Sequence, residues 1–172
     1  MATEGLTTFV VGYDDVSAAR SDYDDLATAR RENRVGDYEA ALLQRIDSGH
    51  EVLVTTVDPR SRWTLRTMAL GAAAGAVIAP IFAGALPGAG LGAIAGDVVD
   101  RIDAFNHADL REVERLVDDS TANIILVSDF ATADAIAEVA RSRGRVVLPF
   151  SSADVDLLRR EVQRNAPPSG LA

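Results

Sequence analysis

Between Thr67 and Gly96, thirty consecutive residues pass without a charge, and this stretch constrains the fold more than any other feature of the chain. On both sides of it the sequence is charged and acidic, with a net charge of −9. The flanks also resemble each other. "FVVGYDDVSAARSDYDDL" and "IILVSDFATADAIAEVA" each read as an apolar strand, an Asp and an Ala-rich helix, and each is followed by a further strand. Two βαβ halves of this kind predict a ferredoxin-like antiparallel sheet with helices on one face. Both halves of one sheet must lie on the same side of any membrane, so the uncharged stretch crosses an even number of times or not at all.

Length and composition limit the depth. Pro80 and Pro87 interrupt helix continuation, so the insert reads as a helical hairpin within residues 61–105. One leg runs from about Ser61 to Ala79 and a return leg from about Pro87 to Phe105. The uncharged part of the return leg, Pro87 to Gly96, has ten residues. At ~1.5 Å each these reach ~15 Å, half of a ~30 Å bilayer core. Eleven of the thirty uncharged residues are Ala and seven are Gly, which favours close packing over lipid. Gly71 and Gly75 on the first leg, and Gly88, Gly92 and Gly96 on the second, recur every four residues and let two helix backbones approach. These five glycines are the candidate packing and oligomer surface. Arg62, Trp63 and Arg66 are candidate membrane-interface residues; a solvated helix face or salt bridging to the many acids is the competing role for the arginines.

The remaining elements follow from periodicity. Strands are predicted over Thr7–Tyr13, Tyr38–Ile46, Glu51–Val57, Ala122–Ser128 and Arg145–Phe150, with "DSGH" as a hairpin turn between the second and third. An amphipathic helix with acids in its early turns follows Asp14 and Asp15, either of which suits an N-cap. Leu110, Val113, Leu116 and Val117 mark a second helix. A third lies in "DFATADAIAEVARSRG", with Thr132 as N-cap and Gly144 as C′ residue. "SSADVDLLRREVQR" is a terminal helix and residues 165–172 a loose tail. The chain therefore reads as a single α+β domain over residues 1–172, with about five strands.

Chemistry is sparse. All seventeen basic residues are Arg, and the acidic balance argues against nucleic acid. There is no Cys, which excludes thiolate chemistry and Cys-type zinc sites. His50, in the turn, and His107, between helices, lack metal-ligand spacing. Asp14, Asp15 and Asp129 follow strand ends, where paired carboxylates could take a cation; N-capping is the favoured reading. Ser17, Ser151 and Ser152 suit caps or turns, and "GAGLGAIAG" lacks the strand and acid of a dinucleotide site. No catalytic residue, cofactor or metal is expected. The N-terminus shows no basic and apolar regions of a secretory signal, so a cytoplasmic location is expected.

"GYDD", the two following strands, the central Ala/Gly/Pro-rich segment and "ANIILVSDFATADAIAEVA" resemble a bacterial family of uncharacterised predicted membrane proteins, over roughly residues 7–150. The resemblance implies an acidic α+β domain with a central glycine-zipper-like hairpin and carries no activity with it. The leading expectation is a non-enzymatic homo-oligomeric structural protein, with shallow membrane contact. The alternative is a cytoplasmic small-molecule-binding or regulatory module.

Overall fold

A computed structural model describes residues 5–46, 49–53, 66, 69–70, 107–129, 132–140 and 144–165. Gly71, Gly75, Gly88, Gly92 and Gly96, with Arg62 and Trp63, lie outside these residues, as do the tail from residue 166 and the interior of the expected hairpin. The described part is α+β. Five strands, β1 (Leu6–Tyr13), β2 (Tyr38–Ile46), β3 (Gly49–Leu53), β4 (Ala122–Asp129) and β5 (Gly144–Pro149), form one antiparallel sheet in the order β3-β2-β4-β1-β5. Four helices accompany it: α1 (Val16–Arg31), α2 (His107–Asp119), α3 (Ala133–Val139) and α4 (Ser152–Asn165).

Every residue of β1 is buried, as is every residue of β4 except its last. Strict alternation would leave one face wet; continuous apolar strands need cover on both faces. The structure supplies it. Phe9, Val11, Tyr13, Ile124 and Leu126 pack on one face with Ala19, Leu26 and Ala29 of α1 and Ile136 of α3. Leu6, Val10, Ile125 and Val127 pack on the other with Val113 and Val117 of α2, and Val155 and Leu158 of α4. Helices on one face only were expected; the second layer, from α2 and α4, corrects that. Arg66, Ala69 and Leu70, within the first leg of the expected hairpin, are helical. Ala69 and Leu70 belong to the α2/α4-side core at 0% and 2% exposure.

Local chemistry sets the helix ends. Asp15 is the N-cap of α1: its Oδ1 accepts from the Ser17 amide at 3.0 Å and its Oδ2 from the Ser17 hydroxyl at 2.6 Å. These bonds hold its carboxyl below the usual range. The first turn of α1 contains no acid, so the cap supplies its negative end; the acids expected in the early turns, Asp22, Asp24 and Asp25, begin in the second turn, and Arg30 and Arg31 close the last. At the other end Asn33 takes φ 55°, the Asn33 amide donates to Arg30 O and the Arg34 amide to Ala29 O. That pair of bonds is the Schellman closure. Left-handed backbone costs a branched residue about 1–2 kcal/mol, so Asn33→Val is expected to lower stability by that amount while Asn33→Gly holds or raises it. Denaturant midpoints compare the two.

Ser151 and Asp154 cap α4 reciprocally: the Ser151 amide donates to Asp154 Oδ2 at 2.9 Å, and the Asp154 amide to Ser151 Oγ at 3.2 Å. Helix α3 stops at Val139, and Gly144 pairs with Gly12 as the first residue of β5, so it does not cap that helix. Ile46 pairs with Gly49 and Arg45 with His50, which makes His50 a strand residue and leaves two residues between the paired ends. His107 opens α2 rather than lying between helices.

Candidate functional site

Among the described residues, four charged groups, Arg30, Asp37, Arg66 and Asp129, meet where β2 begins and β4 ends. Asp129 closes β4, and its Oδ1 accepts from both the amide and the hydroxyl of Thr132, at 2.9 and 2.6 Å. Thr132 holds the N-cap position of α3, as the sequence suggests, but its own side chain makes no cap bond. Asp129 supplies the acceptor. Gly36, just before β2, lies against this turn: a Cβ there would run into the Thr132 hydroxyl. The connections into β2 and out of β4 are therefore in direct contact.

Arg66 bridges them. Its Nη2 lies 3.5 Å from Asp129 Oδ2 and its Nη1 3.7 Å from Asp37 Oδ2. Asp37 also receives Arg30 at 3.1 Å, while the Arg30 guanidinium lies 5.5 Å from the centre of the Tyr38 ring. Burial pushes the Tyr38 phenol up to about 12. Hydrogen bonds from Thr132, aided by Arg66, hold the Asp129 carboxyl below its usual range against the opposing effect of burial. A carboxyl lowered on folding adds stability above its unfolded pKa of about 3.9, and that contribution disappears as pH falls through the lower folded value. The stability difference between the native chain and Asp129→Asn is thus expected to be full at neutral pH and to shrink in acid, measured by urea midpoints across pH.

A shared cation site at Asp14, Asp15 and Asp129 is ruled out by the register. Tyr13 pairs with Ala122 and Leu6 with Asp129, so the acids after β1 and the acid of β4 sit at opposite ends of the sheet. Eight-residue strands separate them by about 24 Å. Among the described residues no group of three or more His, Asp or Glu could hold a metal ion, and no helix is long and apolar enough to cross a membrane. Of the candidate interface residues, the described one is Arg66, and it is engaged with Asp37 and Asp129.

One buried polar pair was not legible from periodicity. Tyr13 Oη donates to Asp22 Oδ2 at 2.9 Å, with the residues 2% and 5% exposed. Burial, then Asp22, raises the Tyr13 phenol far above its ordinary value. A neutral phenol donating to a buried carboxylate joins α1 to β1; it offers no proton near neutrality and reads as structural. Known families, curated proteins and solved structures offer no match to this chain.

Proposed function

We propose that this chain is a non-enzymatic, self-associating structural protein. In this reading a ferredoxin-like platform carries a helical hairpin, and copies associate through Gly71, Gly75, Gly88, Gly92 and Gly96. The burial of Ala69 and Leu70 in the core carries the reading, because it makes the base of the insert part of a rigid mount. The strand order supports the ferredoxin-like assignment. With β3 set aside, β2-β4-β1-β5 interleaves two βαβ units, and α1 and α3 share one face. Cover on both faces leaves no open sheet surface over β1 and β4, which weighs against a small-molecule module using that surface. The described charges near the strand ends serve caps and ion pairs, an arrangement suited to rigidity.

Shallow membrane contact through Arg62 and Trp63, and the likeness to the predicted membrane proteins, belong to the same proposal; Arg66 is assigned to the platform instead. Gly92→Leu places a bulky side chain in the row of small residues. Light scattering is expected to show a larger particle for the native chain than for Gly92→Leu. Equal masses would refute association through that row. Co-sedimentation with anionic vesicles that weakens in Arg62→Glu is the expected sign of lipid contact.

A further inference from the structure

We infer that Asp37 and Asp129 form an arginine-docking site, filled by the chain's own Arg66, that fixes where the insert leaves the domain. The sheet register creates the need. Tyr38 pairs with Ser128 at this end of β2 and β4, so Asp37 and Asp129 are the next residues outward on neighbouring strands. Two carboxylates brought alongside each other repel. Of these two carboxylates Arg30 pairs with Asp37, through Oδ1, while its other nitrogen donates to Tyr38 O; Thr132 satisfies one oxygen of Asp129. The remaining oxygens, Asp37 Oδ2 and Asp129 Oδ2, both face the Arg66 guanidinium.

A planar fork reaches two acceptors at once, which an ammonium does less well. Arg66 is four residues before Leu70 and three before Ala69, and all three are helical, so the ion pairs and the apolar anchors stand one helical turn apart in the sequence. The charges set where Ala69 and Leu70 meet the sheet, and the burial of that apolar pair holds them there. Arg66 is thus a positioning residue for Ala69 and Leu70, and this holds whether or not copies of the chain associate.

The test is amide hydrogen exchange on the full chain. In Arg66→Ala, exchange at Ala69 and Leu70 is expected to quicken about three- to tenfold, the range that two partly exposed ion pairs support. Amides in the centres of β1 and β4 keep their protection. Adding Asp37→Asn and Asp129→Asn to Arg66→Ala removes the repulsion while keeping an acceptor for Thr132, but restores no docking, and is expected to recover part of the loss and not all of it. Arg66→Lys recovers less. Millimolar methylguanidinium is expected to slow exchange in Arg66→Ala beyond sodium chloride at equal ionic strength, with no effect on the native chain. Unchanged exchange at Ala69 and Leu70 in Arg66→Ala would overturn the inference. So would a neutralised triple variant as loose as Arg66→Ala, because the arginine would then act by packing alone.

Discussion

Leu70→Ala is expected to destabilise the domain by about 2–5 kcal/mol, the cost of truncating a buried leucine whose surroundings relax only in part. Leu70 is 2% exposed in the core formed by Val10, Val113, Ile125 and Leu158. Its size matters because Leu70 sits inside the uncharged stretch. If that stretch were an appendage lying on the domain, truncating one of its side chains would leave unfolding unchanged. If its base is built into the core, the loss should match that of a core residue in the sheet. Denaturant unfolding of Leu70→Ala beside Ile125→Ala makes the comparison, since Ile125 is fully buried in the same cluster.

Gly12→Val is the second large effect expected, with a loss at or above the ~1–3 kcal/mol typical of overpacking. A Cβ at Gly12 would lie 2.7 Å from Leu116 Cδ1 and nearer still to the Ser120 hydroxyl. Ser120 cannot withdraw cheaply. It is 2% exposed, donates to Leu116 O at 2.6 Å, and directly follows α2, next to Thr121, whose amide donates to Tyr13 O at 2.8 Å. A side chain at Gly12 would push α2 off the sheet at the point where β4 begins. Gly5 is the control, because a Cβ there meets nothing within 4 Å, so Gly5→Ala should be neutral. Comparable losses at the two glycines would mean that the close approach is not what Gly12 provides.

The strands were the legible part, and β2 falls on Tyr38–Ile46 as expected, although its Glu, Ala, Leu, Gln and Arg residues favour helix and only the pairing with β3 and β4 overrides them. The caps at Asp15 and Ser151 could also be read, because a short polar side chain before an apolar helical period has few other uses. Less of α1 was visible. Val16, Ala19, Tyr23, Leu26 and Arg30 suggested its inner stripe, whereas Ala19, Asp22, Leu26 and Ala29 are the buried residues. Hydropathy places an aspartate outside, and nothing local announces the Tyr13 hydroxyl that draws Asp22 in. The second helical layer was hidden for a related reason. An apolar run in β1 or β4 tells how much cover is needed without naming which helix provides it. The Arg66 junction joins residues 37, 66 and 129, and pairing at that separation has no sequence period. What pointed towards it was an arginine at the edge of an uncharged stretch, which suited lipid, solvent or a carboxylate.

Because the chain contains no Cys, one introduced thiol reports on its own surroundings. Ala93, beside Gly92 in the small-residue row, is the position that tests self-association most directly. Under mild oxidation Ala93→Cys is expected to form a disulfide-linked dimer on a non-reducing gel, while Asp156→Cys, on the exposed side of α4, stays monomeric at the same concentration. A monomer at Ala93→Cys, or equal crosslinking at both positions, would contradict association through the glycine-rich insert.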